Sequence, residues 1–294
     1  MRDPSRARLT LARMAVTGAA LALTFLGAPA GPAGALGILP PANPPLNMRP
    51  VPNFLSSGTC GLLSIGYSCA NPCVGVIKSS GTEHLVFPAF DDAARCVAFL
   101  LRSVDAARAS EGVGTLFLPS NWHSLTVPEQ LFVLADIERV DRGLPPYLGL
   151  NRTLSAAAQS SARQRRDPSI ARGFAVAHTR GTAAYGSTWA SGYSALAADY
   201  IWMYDDGWGG SSSPNTACTS PTAAGCWGHR DQLLGSDGAY NPGVGLGCRT
   251  CEMGAGFAVV AGSGAFTDLV ERPAGRPPAM YFTWAKNVVP FLSS

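Results

Sequence analysis

Apolar residues recur at helical spacing in several stretches of this chain, then give way to strand-like runs near its C-terminal end. Ala94, Val97, Ala98, Leu101 and Val104 predict a helix near Asp91–Glu111. Thr126-Val-Pro-Glu129 reads as a capping box with proline in the first turn. Leu131, Leu134, Ile137 and Val140 come next on one face, until Gly143, Pro145 and Pro146 stop the helix. Further helices are expected over Asn151–Arg166, with Leu154, Ala157, Ala158 and Ser161 inward, over Ser194–Tyr204, and briefly from Trp227 to Gly235. Beyond these, Gly243–Gly247, Met253–Gly262 and Met280–Trp284 are rich in Val, Phe and Tyr and separated by Gly and Pro, as strands are. Helices first and strands last, without regular alternation, predict an α+β fold rather than a doubly wound parallel sheet.

One apolar stretch is of a different kind. Met14 to Leu26 carries no charge, comes after Arg2, Arg6, Arg8 and Arg13, and precedes the small-residue segments Ala28-Pro-Ala30 and Ala33-Gly-Ala35. That order is the layout of a cleavable secretory signal, expected over residues 1–35. The stretch is shorter than the roughly 20 residues a membrane-spanning helix needs. Removing it changes the charge: the whole chain has 22 Lys+Arg and 19 Asp+Glu, and residues 36–294 have 18 of each. A neutral chain without basic clusters offers no electrostatic case for nucleic acid or an anionic membrane. Two lysines stand against twenty arginines, and Ala and Gly abound, which points to a GC-rich bacterial source.

In an exported chain, eight cysteines are read first as disulfides. Spacing favours Cys218 with Cys226, and Cys248 with Cys251 or a more distant partner. Cys60, Cys69, Cys73 and Cys96 would then close among themselves. Cys248-Arg-Thr-Cys251 is read as structural rather than redox-active, since no thioredoxin-like βαβ context surrounds it. Residues 36–53 form a Pro-rich leader. Residues 54–120 form a small region that needs disulfides or docking for support, and residues 121–294 form the main domain. Asn151-Arg-Thr153 matches the glycosylation pattern, which carries no information in a bacterial chain.

Candidate chemistry starts from four histidines, His84, His123, His178 and His229. Two have informative settings: Ala177-His178-Thr-Arg-Gly181, and Gly228-His229-Arg230-Asp231-Gln232-Leu233-Leu234 after the Trp202-Met-Tyr-Asp205-Asp206-Gly207 helix end. This arrangement resembles the bacterial branch of the CAP superfamily, the cysteine-rich secretory, antigen-type and pathogenesis-related-type proteins built on the SCP domain. Members carry Gly-His-Arg-x-x-Leu after a Trp-Met helix. Ile137-Glu-Arg139 through Gly143-Leu-Pro-Pro146 looks like the end of their first helix and its turn. The Ala-rich stretch Leu154–Ala162 looks like their next helix, and His178 like the histidine after it. The resemblance spans about residues 126–290.

The resemblance implies a three-layer α-β-α sandwich with a central cavity, lined by two histidines and two glutamates that hold a divalent cation in some members. His178 and His229 match the histidines. The acidic positions depart: Gly186-Ser187-Thr188 stands where Gly-Glu-Asn is expected, so Ser187 replaces the first glutamate and Asp205 stands in for the second. Three readings are open. The first is a secreted, non-enzymatic protein binding a lipid or cell-envelope component around His178, His229, Asp205 and Ser187. The second is a metal-assisted peptidase holding zinc through His178, His229 and Asp205. The third is a structural or interaction protein of the cell surface, acting through the Cys60–Cys96 segment. No Gly-x-Ser-x-Gly elbow or His-Glu-x-x-His helix occurs, and Ser187 beside a histidine shows no orienting acid or oxyanion hole. Trp189, Trp202 and Trp227 are expected to pack, and Trp208 in the Gly207–Pro214 loop to meet a ligand.

Overall fold

A computed structural model describes residues 75–79, 82–86, 94–169, 182–192, 194–207, 215, 217–220, 222–223, 225–234, 249–273 and 275–292. All of them fall in one compact unit, Ala33–Ser294. The expectations for residues 1–53, Cys60, Cys69, Cys73, His178, Trp208, the Gly243–Gly247 strand and Cys248 lie outside the described residues.

Strands β1 (Gly75–Ser79) and β2 (Thr82–Val86) pair antiparallel as a hairpin that the apolar pattern does not announce. Helix α1 (Ala94–Ser110) comes next, then α2 (Val127–Val140) and α3 (Arg152–Gln164). After them come β3 (Thr182–Gly192), α4 (Ala195–Tyr204), α5 (Gly228–Leu234), β4 (Glu252–Val260) and β5 (Ser263–Pro273). The three long strands form one antiparallel sheet in the order β3-β5-β4. The fold is α+β, as the segregation of helical and strand-like stretches predicts. No helix among the described residues is long and apolar enough to cross a membrane.

The helix starts obey their caps. Glu129 accepts hydrogen bonds at 2.8 Å from both the backbone N–H and the hydroxyl of Thr126, which starts α2. The Asn151 side chain accepts from the Thr153 and Leu154 amides at 2.7 and 3.2 Å and starts α3, while its Nδ2 donates to Glu252 at 2.9 Å. Asn151 is therefore a buried cap, with no amide free to carry a glycan. Ser194 accepts from the Ala197 amide and starts α4.

The sheet is covered on both faces. On one, the Thr267 hydroxyl donates to the Ala158 carbonyl of α3 at 2.8 Å, and Leu269 packs with Leu154 and Ala158. Strand alternation turns Phe266, Asp268 and Val270 to the other face, where α2 reaches β4 and α4 and α5 reach β3. Gly254 and Gly256 let α3 lie almost on β4: a Cβ at either would overlap backbone atoms of Leu154 or Ala158–Gln159. Helix α1 belongs to the same core, with Phe99, Leu100, Val104 and Ala107 buried alongside α2 and α4.

Three departures from the sequence pattern have physical causes. Helix α2 is buried at every position from Gln130 to Arg139, not on one face, because it lies between α1, α4, α5 and the sheet. Met280–Trp284 is not a strand. Leu150 makes isolated bridges to Met253 and Phe282, after which Thr283 and Asn287 close a π-helical turn, Trp284–Val288. Strands β3 and β5 are missing from the pattern because one is mostly Ala, Gly, Ser and Thr around Tyr185 and Trp189 and the other carries Asp268 and Glu271.

Candidate functional site

The Ile137-Glu138-Arg139 segment ties α1, α2, α4 and α5 together. Glu138 has no exposure and receives Arg108 at 2.8 Å, Arg142, and the Tyr204 hydroxyl on both oxygens at 2.9 Å. Arg108 also bonds Asp141 and donates to the Gly114 carbonyl. Glu111 accepts from Arg142 at 3.0 Å and from Arg230 at 2.7 Å. Arg230 also reaches the Met203 carbonyl. Arg139 donates to the carbonyls of Pro145 and Leu233 at 2.9 Å, over the Tyr147 ring. Two arginines thus fix α5 from both ends, and with it the place of its second residue, His229.

Past Tyr204 the chain turns, and the Asp206 carboxylate lies at the start of α5. Its Oδ2 accepts the His229 backbone N–H at 2.8 Å and its Oδ1 meets the His229 Nδ1 at 2.6 Å. An acid at this helix start satisfies an otherwise orphaned amide. Trp227 enters α5 at φ 65, and its ring fills the space that Gly207 leaves open; a Cβ at Gly207 would overlap the indole. The Cys218–Cys226 disulfide closes the loop just before Trp227, as the spacing predicts, and the Asn215 side chain ties that loop at the Gly225 carbonyl. Cys96 and Cys251 are also disulfide-bonded.

The imidazole is 21% exposed, and its Nε2 lies 3.8 Å from Asp167 Oδ1. Burial alone would push its pKa down. The Asp206 carboxylate, helped by Asp167, more than offsets this and raises it to about 10. Burial in turn raises Asp206, against the pull of His229 and two backbone amides. At neutral pH the ring is therefore a cation with Nδ1–H committed to Asp206. Its Nε2–H faces Asp167, and the ring could serve as a base or a metal ligand only by giving up that proton.

Of the set singled out from sequence, His178 lies outside the described residues, and neither Asp205 nor Ser187 is the partner of His229. The carboxylate that meets His229 belongs to Asp206, while Asp205 is the buried C-cap residue of α4. Ser187 is paired with Leu269, on the sheet face that carries α3, whereas its neighbour Gly186 lies under Gln232 of α5. Trp202 and Trp227 are buried, as expected of packing residues. Among the described residues, no three His, Cys, Asp or Glu side chains converge as a metal site. Asp206 and Asp167 are the residues that sequence reasoning passed over. The only signal for Asp206 was its place between a helix end and Gly207; Asp167 had none.

No family model and no curated protein matches the chain. Among solved structures, venom allergen-like protein 4 of Schistosoma mansoni is similar over 53% of this chain and 96% of its own, at 15% identity and a TM-score of 0.31.

The His229 pair predicts a titration. Its folded pKa stands above the ordinary 6.5, so its stabilisation is complete below about 6.5 and is lost as pH rises through about 10. Asp206→Asn should lower the His229 pKa, since burial is then opposed only by Asp167. Histidine ring protons tracked by NMR against pH test this. A wild-type His229 titrating near 6.5 would refute the ion pair.

Proposed function

We propose that this chain is an exported CAP-type protein, a three-layer α-β-α sandwich that binds a ligand without transforming it. The ligand is a lipid or cell-envelope component with an acceptor oxygen, held in a cavity bounded by His178 and His229. The observation that carries this reading is the Asp206–His229 ion pair. It makes the histidine of the Gly-His-Arg segment a fixed hydrogen-bond donor at neutral pH rather than a base. The disulfide beside it, Cys218–Cys226, is the cross-link expected of an oxidising compartment.

One observation favours the metal-assisted hydrolase as a second reading. Nδ1 is bonded to a carboxylate, as the non-ligating nitrogen of a metal-bound histidine often is, and Nε2 lies 3.8 Å from a second carboxylate, Asp167. Zinc there would need His178 and a further ligand, and would have to displace the proton on His229.

Co-sedimentation of the mature chain with vesicles of envelope phospholipid and with peptidoglycan separates these readings. Binding to one of them, weakened at least about tenfold by His229→Ala, supports the ligand-binding reading. Binding that His229→Ala leaves unchanged overturns it. Stoichiometric zinc lost in His178→Ala, with peptide hydrolysis lost in His229→Ala, replaces it with the second reading.

A further inference from the structure

The outer side of His229 is occupied by a second acid. Asp206 holds the ring by Nδ1 and so aims Nε2 outward, where Asp167 Oδ1 lies 3.8 Å away. That distance is beyond a hydrogen bond, and the Asp167 side chain is 57% exposed. The contact is an exposed ion pair, of the kind that shifts an equilibrium by about fivefold at most. Asp206 is different, being buried and bonded to both the ring and the backbone of His229. Of the two carboxylates, one fixes the ring and the other can be displaced.

The segment that carries Asp167 is basic. Helix α3 ends on Arg165 in the left-handed region, φ 53, with the Arg165 and Arg166 amides turned back to the Ala162 and Ser161 carbonyls at 3.1 and 3.3 Å. Glycine is the usual residue at such a helix end, because it adopts that φ without strain, so an arginine there sits against its backbone preference. Arg163, Arg165 and Arg166 are all exposed. Consecutive Cα atoms are about 3.8 Å apart, so those of Arg165 and Arg166 lie within about 8 Å of that of Asp167, the screening length of physiological salt. The even charge balance of residues 36–294 hides this local excess of three arginines over one acid.

A free carboxylate has nothing to offer His229 that Asp167, tethered beside it, does not already supply at high effective concentration. A terminal phosphate does. It carries about −1.5 to −2 charges at pH 7 and three acceptor oxygens, enough to take the Nε2–H and a guanidinium at once. Resting on the ligand-binding reading, we propose that the acceptor oxygen taken by His229 belongs to a terminal phosphate, with Asp167 as its internal stand-in and Arg165 and Arg166 as further donors. Asp167 swings off Nε2 when the phosphate arrives, and so sets a threshold that singly charged carboxylates do not pass.

The test titrates inorganic phosphate, and acetate beside it, into the full mature chain at pH 7 while following the His229 ring protons by NMR. The expected result is a saturable shift with phosphate and none with acetate at equal ionic strength. Asp167→Asn should tighten phosphate by about fivefold, the share that the exposed pair withholds. Arg165→Gly removes a guanidinium and relaxes the backbone, so it should weaken phosphate by about threefold or more with no loss in Tm. Vesicles separate the two sources of a terminal phosphate. If vesicles containing phosphatidic acid sediment the chain and inorganic phosphate releases it, the phosphate is a lipid headgroup; a phosphate shift without sedimentation assigns the free ion. Ring protons that ignore phosphate in both the wild type and Asp167→Asn would overturn the proposal. So would an equal response to acetate, or a phosphate affinity that Asp167→Asn leaves unchanged. The ligand-binding reading survives each of these results where envelope binding still falls in His229→Ala, and it fails separately where that substitution leaves envelope binding untouched.

Discussion

Glu138→Ala is expected to lower the unfolding free energy by about 3–5 kcal/mol, the cost of breaking a buried ion pair from one side. Arg108 and Arg142 both spend a guanidinium bond on this carboxylate, and neither has any side-chain exposure. Removing the acid leaves two buried cations and the Tyr204 hydroxyl without their shared acceptor. Burial alone would raise the Glu138 carboxyl, but the two arginines hold it at about 2. Its contribution is therefore complete above the ordinary value of 4.5 and lost as pH falls through about 2. Urea unfolding of the wild type and variant at neutral pH, with disulfides intact, measures the difference. A loss under about 1 kcal/mol, the range of exposed pairs, would mean the network is not closed as described.

The second large effect is steric. Gly254→Val should destabilise the chain by about 1–3 kcal/mol or more, as overpacking does. Any side chain at Gly254 points into the backbone of Leu154 and Ser155, where the obstacle is a helix and not a flexible side chain. Helix α3 must then lift from β4, and the Thr267–Ala158 and Gln159–Phe257 bonds lengthen with it. Thermal unfolding gives the magnitude, and faster amide exchange confined to α3 and β4 identifies the place. Gly262→Val is the contrast. Gly262 sits in the β4–β5 turn with φ +77 and open space around it, so its cost is conformational strain without displacement of α3. Equal exchange changes across the whole chain in Gly254→Val would count against a local clash.

How much of this is legible in the sequence depends on whether a signal is local. Thr126, Asn151 and Ser194 announce their helices because a cap is a bond between neighbours in sequence. The Cys218–Cys226 bridge is legible because only seven residues separate the pair. Strands β3 and β5 are not legible, since their place in the sheet comes from pairing with each other, not from a run of β-branched residues. At the site, His229 stands out from its motif, but the resemblance puts the acidic position at Asp205. The helix ends at Tyr204, and it is Asp206, one residue past the matched position, that makes the contact.

The sequence by itself determined an α+β chain with its helix starts, one disulfide, and the segment that carries the key histidine. These rest on periodicity, capping and short loop closure, all properties of neighbouring residues. Only the tertiary structure decided that α2 is buried all round, that Glu138 is shared by two arginines, and that His229 is paired with Asp206. Each of these depends on residues tens of positions apart meeting away from water. There a charge is governed by what lies beside it, and residue type alone no longer predicts its behaviour.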